Sequence, residues 1–147
     1  MRAIKKILCA VDLSDMSAQV AEQAVTFAKV FGAQVLVVYA APSSSQYAGF
    51  EIRPKALATF MEELALGSEE QMRAVMKTHF LDVLAESSIV KGFPAEEILA
   101  EARRWGADLI IMGTHGRKGM DLLLFGSVAE KVVKGADVPV LTVNPGK

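Results

Sequence analysis

The chain has 147 residues, 52% of them hydrophobic and 22% charged, a size and balance that suit one domain with a substantial core and exclude a disordered chain. Its formal net charge of -1 supplies no basic field to recruit a nucleic-acid backbone or an anionic membrane, so neither partner is expected.

Cys9 is the only cysteine and lies inside an apolar run, which reads as a buried, inert thiol and leaves no intrachain disulfide. The amino terminus passes from Met1-Arg2-Ala3-Ile4-Lys5-Lys6 straight into that run without signal-peptide features, and no stretch is long enough to span a bilayer. A reducing, cytoplasmic setting is the expectation.

Ile7-Leu8-Cys9-Ala10-Val11, ending at Asp12, is evenly apolar, as a strand covered by helices on both faces must be. From Ser14 to Phe31, Ala18, Ala21, Ala24, Val25, Ala28 and Phe31 recur at helical spacing, and Gly32 stands where a left-handed cap is needed. Gln34 to Ala40 is a second buried strand, and Pro42 to Arg53 carries loop chemistry. Leu57, Phe60, Met61, Leu64, Met72, Val75, Met76 and Phe80 then mark an amphipathic helical stretch over 54–83. Gly67-Ser68 interrupts it, and Ser68 with Gln71 has capping-box spacing, so one kinked helix and two helices are both open.

Ile89-Val90 marks a short third strand. Pro94-Ala95-Glu96-Glu97 opens a helix that runs to about Trp105, since an early proline and first-turn acids suit the unpaired amides of a helix start. Asp108 to Met112 is the fourth strand, Val128 to Lys134 the last helix, and Val138 to Val143 the fifth strand. Strands alternating with helices imply right-handed parallel crossovers. The expected fold is α/β, a doubly wound five-stranded parallel sheet with helices on both faces, spanning the chain as a single domain. Ligands in such sheets bind beyond the carboxyl ends of the strands, which directs attention to Asp12 and to the glycine-rich segment starting at Gly113.

That segment follows the frame Gly113-x-x-Gly116, nine residues, then Gly126-Ser127. Glycine lets backbone amides approach an anion without a Cβ in the way, and Gly126-Ser127 directly precedes a helix whose positive end favours phosphate oxygens. The spacing describes a phosphate cradle in two pieces.

With this signature, the surrounding Ile110-Ile111-Met112-Gly113-Thr114-His115-Gly116-Arg117 and Leu124-Phe125-Gly126-Ser127-Val128-Ala129-Glu130, and the opening Val11-Asp12-Leu13-Ser14, the sequence resembles the ATP-binding branch of the universal stress protein family. The resemblance implies the strand order 3-2-1-4-5, which makes Asp12 and Gly113 neighbours. It implies ATP as ligand, with Mg2+ as the charge-balancing ion. Asp12 would contact ribose or adenine with the Val11 backbone beside it, Ala40 would present its backbone to the adenine edge, and Met112 would pack near the base or sugar. Gly113, Gly116, Gly126, Ser127 and Val128 would line ribose and phosphates, and His115 and Arg117 would approach the phosphates. The resemblance also implies a homodimer through the C-terminal strand, whose apolar edge needs a cover.

Plainer readings accompany these. Asp12 suits a cap for the helix beginning near Ser14, and Ser127 with Glu130 has capping-box spacing. His79 reads as structural, and Met72 and Met76 as core filler. The chain lacks a Walker segment, a defensible Ser-His-Asp spacing and a two-metal carboxylate cluster. The expectation is therefore a nucleotide-dependent regulatory protein of the stress response with no catalytic residues. A slow ATP hydrolase and an interaction-only stress protein without nucleotide are the alternatives, and the retained glycine signature argues against the second.

Overall fold

The computed structural model describes residues 2–47, 49–114 and 126–144. Among these, strands and helices alternate as β1 (Lys6–Ala10), α1 (Ser17–Phe31), β2 (Gln34–Ala41), α2 (Pro54–His79), β3 (Ala85–Lys91), α3 (Pro94–Trp105), β4 (Leu109–Gly113), α4 (Ser127–Gly135) and β5 (Val140–Val143). The strands form one parallel sheet in the order β3-β2-β1-β4-β5, the doubly wound arrangement expected. β1 is central, with Cys9 opposite Val37 of β2 on one side and Ile111 of β4 on the other.

Alternation along the strands divides the core in two. Ile7, Cys9 and Val11 with Val35, Val37, Leu109 and Ile111 meet Val20, Ala21, Ala24 and Ala28 of α1 and Met72 of α2. Leu8, Ala10, Leu36, Val38, Ile110 and Met112 meet Ala95, Ile98 and Ala102 of α3 and Ala129 and Val132 of α4. Ile7, Leu8, Ile110 and Ile111 are wholly excluded from solvent, and burying each such side chain stabilises the fold by about 1.5–3 kcal/mol.

Gly32 and Gly106 end α1 and α3 at φ 64° and 78°, each sending its amide to the carbonyl four residues back, Ala28 and Ala102. Only glycine takes this left-handed turn without cost. α2 is one continuous helix, which settles the choice left open at Gly67-Ser68. A Cβ on Gly67 would meet nothing within 4 Å, and Ser68 is buried inside the helix, so its capping-box spacing with Gln71 is not used. The loop after β2 contains a 3₁₀ turn, Ser44–Tyr47, whose Tyr47 ring stands edge-on to Phe60 of α2 at 5.6 Å.

β3 runs for seven residues where the sequence suggested a short strand at Ile89-Val90. It lies at the sheet edge, and Glu86 and Ser87 are exposed, so the apolar run of a buried strand is absent. Ser88 ties it to α3 by donating to Glu101 Oε2 (3.3 Å); the Arg104 guanidinium holds that carboxyl below the usual range.

Asp108 fastens the base of the central strands. Its Oδ2 accepts the amides of Lys5 (2.9 Å) and Lys6 (3.0 Å), and its Oδ1 meets Arg2 at 2.8 Å. Burial pushes this carboxyl up, but the two amides and the Arg2 charge outweigh burial and hold it below the usual range. A depressed folded value means that its stabilisation is present above the ordinary carboxylate range and is lost as pH falls through the folded value. Asp108→Asn is therefore expected to cost about 1–2 kcal/mol at neutral pH. Urea midpoints should also show a smaller loss of stability below about pH 4 in the variant than in the wild type.

Candidate functional site

The candidate site follows from the direction of backbone groups at the end of β2. Val38 accepts the Val11 amide (2.9 Å) and so faces β1, whereas Ala41 accepts the Gly92 amide (3.0 Å) and so faces the other way. Backbone direction alternates along a strand, so the N–H and C=O of Ala40 point to the β1 side. Pairing with β1 has ended by then, at Ala10 opposite Val38. Ala40 thus offers one donor and one acceptor over the space beyond the end of β1.

Asp12 lies half-buried just after β1, and its surroundings are specific. Its Oδ1 accepts the Ser14 amide (3.0 Å), the Ser14 hydroxyl (2.6 Å) and the Ser17 hydroxyl (3.1 Å). Between Asp12 and Ser14, Leu13 sits at φ 62°, a left-handed conformation that costs a leucine about 1–2 kcal/mol. The N-cap residue of α1 is Met16, and no side-chain cap bond is made there, so these bonds organise the loop rather than close the helix start. Ser14 and Ser17 were missed in the sequence reading. The Asp-x-Ser-x-x-Ser spacing of residues 12, 14 and 17 is the signal that would have found them.

β4 ends beside β1, with Met112 opposite Ala10 and Gly113 completing the strand. Thr114 donates its amide to Val143 (2.9 Å) and accepts the Gly126 amide on its carbonyl (2.9 Å), which brings the start of α4 directly onto the end of β4. Gly126 is the N-cap of α4, half-buried, and Ser127 is its first helical residue, exposed. The capping-box spacing is not used, because Glu130 directs its carboxylate to Lys134 (2.8 Å). The Gly126 amide is thus taken by Thr114, while the positive end of the α4 dipole at this junction favours an anion.

The fold thus gathers Val11, Asp12, Ala40, Gly113, Gly126, Ser127 and Val128 at one end of the sheet. Met112 is in the same place by backbone only: its side chain is buried in the α3–α4 core layer, so packing of its thioether on a base or sugar is not what this arrangement provides. His115, Gly116 and Arg117 lie outside the described residues. No group of three or more His, Cys, Asp or Glu side chains suited to a metal ion occurs among the described residues. No described helix is long and apolar enough to cross a membrane.

A doubly wound five-stranded parallel sheet with helices on both faces, its strand order reversing at β1 and β4, defines a Rossmann-like α/β protein. The model of the universal stress protein family matches residues 3–144, and the chain belongs to that family. It is 36% identical over 144 residues to universal stress protein MJ0531 of Methanocaldococcus jannaschii, covering 97% of this chain and 84% of that one. Among solved structures, MJ0577, a universal stress protein of the same organism, superimposes with a TM-score of 0.80 at 27% identity over 97% of this chain and 96% of its own. The universal stress protein from Archaeoglobus fulgidus in complex with dAMP gives a TM-score of 0.65 at 22% identity, covering 97% and 98%.

Cys9, within two residues of Val11, is completely buried, and burial pushes its thiol up to about 12. A neutral, inaccessible thiol is neither a nucleophile nor a metal ligand. Titration with an aromatic disulfide reagent at about pH 8 should find no reactive thiol in the native protein and one equivalent after denaturation.

Proposed function

We propose that the chain binds an adenine nucleotide, ATP with Mg2+, beyond the carboxyl ends of β1, β2 and β4, and that occupancy regulates its interactions in the stress response. The observation that carries this reading is the convergence of three kinds of group at the carboxyl ends of these strands. The Ala40 backbone edge suits a planar base, the Asp12 carboxylate suits ribose hydroxyls or the adenine amino group, and the start of α4 from Ser127 onward, with its positive dipole end, suits phosphates. The dAMP complex of the Archaeoglobus relative supports an adenine nucleotide. His115, Gly116 and Arg117 complete the cradle in this reading. Mg2+ would arrive on the phosphates and keep most of its water, a mode that asks for no dedicated cage of protein carboxylates.

Freshly purified protein, denatured and chromatographed, should release adenine nucleotide, and calorimetry should record ATP binding to the stripped protein. Gly126→Val puts a branched side chain where phosphate approaches the amides and is expected to weaken ATP binding at least about tenfold, with Asp12→Ala costing about tenfold to a hundredfold. Unchanged affinity in Gly126→Val would show that the site is elsewhere.

We further propose that the working unit is a cytoplasmic homodimer joined along β5. Among the described residues this strand pairs with β4 alone, and its half-buried Val140, Leu141, Thr142 and Val143 close the sheet edge. The carbonyls of Pro139 and Val143 face β4, accepting the amides of Ile110 and Thr114, so by alternation the N–H and C=O of Val140 and Thr142 point outward. A two-fold-related strand would satisfy them. Light scattering should give twice the 15.8 kDa chain mass. Thr142→Pro removes an outward amide without touching a β4 hydrogen bond and should yield a folded monomer. A wild-type monomer at micromolar concentration would refute the dimer.

A further inference from the structure

We propose that Ser17 and Ser14 are positioning residues of the nucleotide site, holding the Asp12 carboxylate in one orientation for the ligand. The inference rests on the reading that Asp12 contacts the nucleotide.

Three donors converge on a single oxygen, Asp12 Oδ1: the Ser14 amide at 3.0 Å, the Ser14 hydroxyl at 2.6 Å and the Ser17 hydroxyl at 3.1 Å. With one oxygen pinned from several directions, the position of the other is determined as well. The gripping groups are themselves held. The Ser14 hydroxyl accepts the Met16 amide (3.3 Å), and the Ser14 carbonyl accepts the Ser17 amide (3.0 Å), so the loop and the first turn of α1 form one bonded unit. Leu13 belongs to the same device, because its positive φ turns the chain so that the Ser14 amide points back at the carboxylate it follows.

Ser17 is the telling member. It is the first residue of α1 and is buried at 4% exposure on the face where Val20, Ala21, Ala24 and Ala28 pack. Alanine would fill nearly the same volume there, so packing alone does not call for a hydroxyl. A serine at a helix start ordinarily serves its own helix; this one reaches five residues back to Asp12. A side chain ordered before the ligand arrives loses less freedom on binding, which is the advantage that supporting hydrogen bonds confer on a recognition group.

A purely structural serine and a positioning serine differ in one measurable respect, the dependence of the effect on Asp12. ATP affinity is measured by calorimetry in the presence of Mg2+ for the wild type, Ser17→Ala, Ser14→Ala, Asp12→Ala and the two double variants, with melting temperatures recorded beside them. Each serine variant is expected to weaken ATP binding by about threefold to thirtyfold when Asp12 is present and by less than about twofold when Asp12 is alanine. Equal losses in both backgrounds, or no loss with Asp12 present, would overturn the positioning role. Ser14 lies in the loop ahead of α1, so its variant carries the test should Ser17→Ala fail to fold. A wild type without affinity for any adenine nucleotide would remove both readings. A wild type whose affinity falls with Asp12→Ala but with neither serine variant removes this one alone.

Discussion

β1 is hydrogen-bonded on both sides, to β2 and to β4, and its side chains are buried on both faces from Ile7 to Ala10. A central strand shared in this way obliges the chain to wind outward to β3 and then cross β1 to begin β4, so that connections leave β1 and β4 in opposite directions. The strand order reverses between them, beyond the strand ends where the loop at Asp12, the junction of β4 with α4 and the end of β2 at Ala40 come together. Asp108 fixes the opposite end of the same strands by accepting the amides of Lys5 and Lys6, so the relative height of β1 and β4 is set at their base. The placement of the site thus depends on contacts far from it.

Two local features depart from the regularity of the rest. Leu13 occupies a conformation that glycine would adopt more cheaply, and Asp12 collects hydroxyl and amide donors on one oxygen instead of remaining an exposed loop acid. In the proposed site such order would reduce the freedom that the carboxylate loses on meeting a ligand. At the junction of β4 and α4 the Gly126 amide is tied back to Thr114, and the positive end of the α4 dipole stands there.

The family relationship spans residues 3–144, and the similarity to MJ0577 covers nearly the whole of both chains, so the sheet order and the positions of the strand ends belong to the family and not to this chain alone. Here the outward groups of Val140 and Thr142 at one edge, and the polar residues of β3 at the other, give the two sides of the sheet different chemical characters.

Much of the fold was legible in the residues themselves. The even apolar runs of β1, β2 and β4 required strands covered on both faces, and Gly32 and Gly106 marked the helix ends where left-handed turns occur, because these are local or periodic properties. Asp12, Gly113 and Gly126-Ser127 could be placed at element ends for the same reason: each adjoins an element whose end could be read from the sequence. The full length of β3 was not legible, since half its surface faces water and its residues resemble a loop; only pairing with β2 makes it a strand. The continuity of α2 through Gly67-Ser68 was undecided for a similar reason, as packing at Ser68 and Met72 overrides the local break. The Met112 side chain was assigned to the ligand, and its register in β4 turns it into the core instead. The grip of Ser14 and Ser17 on Asp12 depends on a positive φ at Leu13 that no leucine advertises. Composition and period determine which segments become strands and helices, but where a side chain points and what holds it are decided only when those segments pack.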